Sequence, residues 1–212
     1  MKLYKYPPSI SWPLILERPS IPLDDLEPKV RKVMKRVRKK GDKALRKYTE
    51  AFDGVVLKDF LVTQEETDAA TAMLSDELKT AINIARQNIE TFHLSQVGSP
   101  ESVETMPGVV CWRKAVGIEK VGLYIPGGTA PLFSTILMLG IPAAIAGCRE
   151  VVLCSPPSKD GKLNPAILYT AALVGIRKVY KLGGVQAIAA MTYGTESVPK
   201  VSKIFGPGNQ YV

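Results

Sequence analysis

Three glycine-bearing turns in the second half of the chain each carry a side chain suited to holding a polar ligand. Tyr124 precedes Pro126-Gly127-Gly128, Gln186 follows Gly183-Gly184, and Asn209 closes Gly206-Pro207-Gly208. A phenol packs on a ring or bonds through its hydroxyl, and the two carboxamides both donate and accept. Glycine lets a ligand approach the backbone, while free N–H groups opening a following helix attract phosphate. Together these are the means of holding a nucleotide. Neither Gly-x-Gly-x-x-Gly nor Gly-x-x-x-x-Gly-Lys-Ser/Thr occurs, so spacing alone identifies no nucleotide. Each residue also has an ordinary use: Tyr124 as a core strand residue, Gln186 in the first turn of a helix, Asn209 in a left-handed turn. Their place on three loops of one sheet edge favours the ligand reading.

The elements that must position them follow a repeat. Apolar strands are expected at 121–125, 151–154, 178–182 and 202–205, alternating with helices. The first helix is expected to start at a Thr129 cap and end near Gly140, with a second short helical piece reaching Gly147. The next is opened by Asn164-Pro165 and ends near Gly175, and the last runs over 185–193 to Gly194. Short apolar strands joined by helices predict a parallel sheet covered on both faces, with every turn after a strand at its carboxyl edge. The fold class is therefore α/β, a Rossmann-like parallel sheet with flanking helices over 121–212, preceded by a mainly helical portion over 1–120.

In that first portion, eleven of the residues from Lys29 to Lys47 are basic, interleaved with Val30, Val33, Met34, Val37 and Leu45 at helical steps. The helix is expected to break at Gly41-Asp42, resume to Phe52 and end at Gly54. Thr63 and Glu66 form a capping box for a helix to about Leu74. Leu78, Ala81, Ile82, Ala85, Ile89 and Phe92 mark a long amphipathic helix to about Ser95, stopped by Gly98-Ser99-Pro100. Around Pro107-Gly108 a hairpin or extended arm is expected, with Val109, Val110 and Trp112 on one side and residues 115–118 on the other.

Composition sets the bounds. A chain of 212 residues with 46% hydrophobic content can bury a core. No apolar run long enough to cross a bilayer and no signal-peptide pattern occurs, so a cytoplasmic location and no membrane partner are expected. The formal charge is +8, but the basic run reads as a solvated helix face, and no motif of a nucleic-acid binder accompanies it, so no nucleic-acid partner is expected. Cys111, Cys148 and Cys154 have no pairing pattern and read as reduced packing residues. His93 is the single histidine; it has no metal-spaced neighbour in sequence, and a structural or cleft-lining role suits it better than a catalytic one.

The stretch Val121-Gly-Leu-Tyr-Ile-Pro-Gly-Gly-Thr-Ala-Pro-Leu-Phe-Ser-Thr135 closely resembles the signature of histidinol dehydrogenases. Pro142-Ala-Ala-Ile-Ala-Gly-Cys148, Gly183-Gly-Val-Gln-Ala-Ile-Ala-Ala190, Tyr193-Gly-Thr-Glu-Ser-Val-Pro-Lys-Val201 and Lys203-Ile-Phe-Gly-Pro-Gly-Asn209 are similar in register. Gly41-Asp-Lys-Ala-Leu45, Phe52-Asp53 and Asn88-Ile-Glu-Thr-Phe-His93 extend the likeness towards the amino terminus. The resemblance implies an NAD- and zinc-dependent enzyme of histidine biosynthesis, a homodimer when full length, oxidising L-histidinol through the aldehyde to L-histidine. It makes Tyr124, Gln186 and Asn209 cofactor-binding positions. It also implies that the zinc ligands and the catalytic glutamate-histidine pair come after Gly-Pro-Gly-Asn, so no catalytic and no metal residue is assigned here. The expectation is an amino-terminal fragment, inactive alone, whose helix over 78–95 exposes an apolar stripe meant for missing segments. A standalone nucleotide- or nucleic-acid-binding module and a related dehydrogenase for another small alcohol are the alternatives.

Overall fold

The computed structural model describes residues 3–17, 26–127 and 131–207. Helix α1 (Trp12–Ile15) is a short exposed turn. Helix α2 (Glu27–Tyr48) buries Val33, Val37, Leu45 and Tyr48 on one face and leaves most of its cations in solvent. It breaks at Gly41, whose φ of 49° and ψ of −135° are not helical. A π-helical turn (Thr49–Asp53) continues it to Gly54, which ends the run with φ 70°. Helix α3 (Gln64–Met73) starts at the expected capping box: the Glu66 N–H donates to Thr63 Oγ1 at 3.2 Å and the Thr63 N–H donates to the Glu66 carboxylate at 2.9 Å. Helix α4 (Asp76–Leu94) is capped by Ser75.

Strands β1 (Ser102–Met106) and β2 (Val109–Trp112) pair antiparallel about Pro107-Gly108, and every residue of both is exposed. The hairpin closes within itself, so 115–118 is not its second arm: the turn at Gly108, with φ 82°, brings 102–106 rather than 115–118 opposite 109–112.

Strands β3 (Lys120–Tyr124), β4 (Glu150–Ser155), β5 (Lys178–Lys181) and β6 (Lys203–Phe205) form one sheet in the order β5-β4-β3-β6, with every adjacent pair parallel. Residues 60–62 run antiparallel along the outer edge of β5, with the Val62 N–H donating to the Val179 carbonyl at 2.9 Å and the Lys181 N–H to the Phe60 carbonyl at 2.8 Å. This covers an edge that would otherwise present unpaired backbone groups.

The connections are α5 (Phe133–Ile145), α6 (Pro165–Leu173) and α7 (Gly184–Tyr193). Side chains alternate across the strands. Leu123, Leu153 and Val179 face α5 and α6, while Tyr124, Val152, Cys154 and Tyr180 face α7 and α2. The expected break between two helical pieces before Gly147 does not occur: α5 runs through Gly140 and Pro142 as one helix. Proline removes one backbone bond, but buried Ile136, Leu137 and Ile141 hold both halves against the core. The expected Thr129 cap lies outside the described residues. Most of the stripe of α4 does not face solvent, although Ala81 and Phe92 do. Ile82 is buried against Leu137 and Ile141 of α5, with Leu78, Ala85 and Ile89 beside it, because α5 offers an apolar outer face of matching length.

Candidate functional site

From β3 the chain steps to β4 and then to β5, and returns across the sheet through α7 to place β6 on the other side of β3. The strand order thus reverses between β3 and β6, and open α/β sheets bind ligands in the crevice at the carboxyl ends flanking such a switch. Glycines bring the loops together there. A Cβ on Gly206 would stand 2.3 Å from the Tyr124 carbonyl oxygen, one on Gly127 2.6 Å from Pro156 Cγ, and one on Gly183 2.4 Å from Pro156 Cβ. Distances under 3 Å leave no room for a side chain at these glycines, so their backbones press on the Tyr124 carbonyl and the Pro156 ring and bring the ends of all four strands together. Beside them Pro126, Gly127, Ser155, Pro156, Ser158 and Asn164 line a cleft of about 340 Å³.

Tyr124 ends β3 and is buried, and its hydroxyl accepts from the Gly184 N–H at 2.9 Å. One of the free N–H groups at the start of α7 is therefore already satisfied by the protein. Gln186, in the first turn of α7, is only 1% exposed. Its Nε2 donates to Asp53 Oδ2 at 3.1 Å, and its Oε1 has no partner among the described residues. Burial pushes the Asp53 carboxyl up to about 6, with the Gln186 hydrogen bond working against it. Burial likewise raises the Tyr124 phenol; its bond from Gly184 opposes this, and the nearby negative charge of Asp53 adds to it.

The structure thus joins Tyr124 and Gln186 around the amino end of α7, through Gly184. Asn209 lies outside the described residues. Asp53 is the member of the cluster that sequence reasoning missed. Its position before Gly54 looks like that of any residue finishing a helix, and the signal available, a likeness at Phe52-Asp53, carried no role.

A second set of contacts fixes the loop from α7 to β6. The Asp42 N–H, freed where α2 breaks, donates to Glu196 Oε2 at 2.7 Å. The Asp42 carboxylate in turn accepts from the Ser197 N–H at 3.3 Å and from the Ser197 hydroxyl. The break in α2 is therefore the anchor of the loop that delivers β6 and Gly206 to the crevice.

His93 sits in the last turn of α4, where its Nδ1 is 2.8 Å from Gln96 Oε1. Cys111 is exposed on the hairpin, Cys148 is half-buried, and Cys154 is buried in β4 with its thiol pushed far up by burial. Among the described residues no three His, Cys, Asp or Glu side chains gather in a way that could hold a metal ion, and no helix is long and apolar enough to cross a membrane.

The family model for histidinol dehydrogenase matches residues 16–212. The chain is 62% identical, over its whole length, to a histidinol dehydrogenase of Bacteroides thetaiotaomicron, of which it covers 50%. It is 56% identical over 180 residues to one of Xylella fastidiosa, matching 85% of this chain and 42% of that protein. The crystal structure of a histidinol dehydrogenase from Elizabethkingia anophelis superimposes with a TM-score of 0.92 at 53% identity, covering 97% of this chain and 47% of the other. The chain spans about half the length of the curated relatives it matches.

Proposed function

Because the chain belongs to the histidinol dehydrogenase family, we propose that it supplies the NAD-facing part of an enzyme that oxidises L-histidinol to L-histidine. The observation that carries this is the reversal of strand order between β3 and β6, with Tyr124, Gly184 and Gln186 collected at the carboxyl edge. The donor set suits a dinucleotide. Glycine backbones permit close approach, the Tyr124 hydroxyl keeps a proton to donate after accepting from Gly184, and the unpartnered Gln186 Oε1 accepts from a ribose or amide donor. Tyr124, Gln186 and Asn209 are the proposed cofactor-binding residues. NAD held there would supply the hydride acceptor, one molecule for the oxidation of the alcohol and a second for that of the aldehyde. The described residues do not fit zinc, since they gather no ligand set, and no residue of this chain is assigned to it or to proton transfer. A homodimeric assembly and a cytoplasmic location complete the proposal on family grounds.

The test is NADH formation from L-histidinol, NAD and zinc by this chain alone and by the chain mixed with the remaining half of the Bacteroides thetaiotaomicron relative. The expected result is turnover in the mixture and none in the chain alone. Turnover by the chain alone would require a base and zinc ligands within these residues. Silence in both, with no NAD bound by the chain in a calorimetric titration, would overturn the proposal.

A further inference from the structure

Four buried side-chain polar atoms among the described residues lack a hydrogen-bond partner, and one of them, Gln186 Oε1, lies at the crevice. An unsatisfied buried acceptor is costly and rare in folded proteins, so it points to a partner that arrives later. Among the described residues there is space beside it. Gly184 takes φ +53°, and the place where its Cβ would stand has, among those residues, no neighbour within 4 Å beyond its own adjacent chain except the Gln186 carboxamide, with Oε1 at 3.3 Å. The other end of that carboxamide is already held by Asp53, through Nε2 at 3.1 Å. Asp53 comes from the π-helical turn after α2, which lies on the same face of the sheet as α7 but far from it in sequence.

We infer that Asp53 is a positioning residue of the nucleotide site: by accepting from the Gln186 NH2 group it determines which end of the carboxamide faces the gap beside Gly184, so that an acceptor is presented there to an O–H or N–H donor of the cofactor. The inference rests on the NAD reading above. A carboxamide turned by half a rotation has nearly the same shape but offers a donor where an acceptor was, so packing alone does not choose between the two. An ionised carboxylate does choose, because it only accepts. A protonated Asp53 has an O–H of its own that competes for Oε1, and the choice is lost.

The groups that face Asp53 leave it in control of this switch. Tyr124 approaches from β3 with Cys154 of β4 behind it; burial raises both, so both stay neutral below pH 8. Helix α7 carries no charged side chain, and burial and the Gln186 bond, not a cation of α2, are what move the Asp53 carboxyl.

The experiment is calorimetric titration of this chain with NAD between pH 5 and 8, for the wild type, Asp53→Ala and Asp53→Asn, alongside the NMR signal of the Gln186 side-chain NH2. In the wild type, affinity should fall as pH drops below about 6, and the NH2 signal should move over the same range. Asp53→Ala should weaken NAD about ten-fold, the factor equivalent to one hydrogen bond of roughly 1.4 kcal/mol. Asp53→Asn, whose amide donates as well as accepts and does not titrate, should weaken NAD as a protonated Asp53 does and flatten the pH profile. Wild-type binding with an unchanged Asp53→Ala affinity, or an NH2 signal indifferent to pH, would overturn the role of Asp53 while leaving the NAD reading intact. No binding by the wild type would remove both. If Asp53→Ala does not fold, the Asp53→Asn profile and the NH2 signal decide.

Discussion

The central sheet and the β1–β2 hairpin are built from the same residue types and end in opposite environments. Val121, Leu123, Val152 and Cys154 are at most 1% exposed, whereas Val103, Val110 and Trp112 of the hairpin are more than half exposed. Both regions have the alternating or continuous apolar pattern of strands, so the pattern does not itself decide burial. Cover does. The sheet lies between α2 with α7 on one face and α5 with α6 on the other, while the hairpin has no layer over either face among the described residues. The crevice draws its precision from the first region: three glycines pressed against Tyr124 and Pro156 hold only if the strands beneath them do not move.

That contrast can be broken or sharpened by mutation, beginning with the centre of the sheet. Leu123→Ala empties a fully buried position and should lower the unfolding free energy by about 3 kcal/mol, measured by urea denaturation. Gly41→Ala should cost about 1.5 kcal/mol, since φ +49° strains any side chain and a Cβ there would stand 2.2 Å from Glu196 Oε2. If the Asp42–Glu196–Ser197 contacts anchor the β6 loop as argued, this variant should also speed amide exchange at 203–205 more than at 120–124.

Asp53→Asn should act through pH. Burial raises the Asp53 carboxyl from its ordinary value of 3.8 to about 6, so its ionisation opposes folding. That penalty is absent below pH 3.8 and complete above about 6. The melting temperature of Asp53→Asn relative to wild type should therefore rise between pH 4 and 7 and then level off. Because the site is partly solvated, the change is worth at most roughly 1 kcal/mol. A relative melting temperature that falls over this range would mean that the ionised carboxylate stabilises the fold. The smallest effect belongs to the hairpin: Val110→Ala should stay within about 0.5 kcal/mol of wild type. A loss comparable to that of Leu123→Ala would show that something packs on the hairpin in solution, and the two regions would then no longer differ in kind.

Much of this architecture was legible in local spacing. The Thr63–Glu66 capping box, the stop at Gly54, the break at Gly41 and the Asn164-Pro165 helix start all appear where the residues indicate, because each is settled by hydrogen bonds and backbone torsions within a few residues. Two errors have a common source. The single helix through Pro142 and the covered part of the α4 stripe both depend on how well α5 packs against α4 and α6, which no local rule contains. At the crevice, Tyr124 and Gln186 were singled out by the family resemblance, which glycine turns after apolar strands, marking a sheet's carboxyl edge, agree with. Asp53 was not, since its partner lies 133 residues away.

The sequence by itself determined the alternation of strands and helices, the caps that begin and end them, and the family to which the chain belongs, all properties carried by neighbouring residues. The tertiary structure alone decided that β6 returns beside β3, that Gly206 closes on the Tyr124 carbonyl, and that a carboxylate from the end of α2 holds a carboxamide on α7. These arrangements depend on which faces bury which, and burial is a property of the assembled layers rather than of any segment.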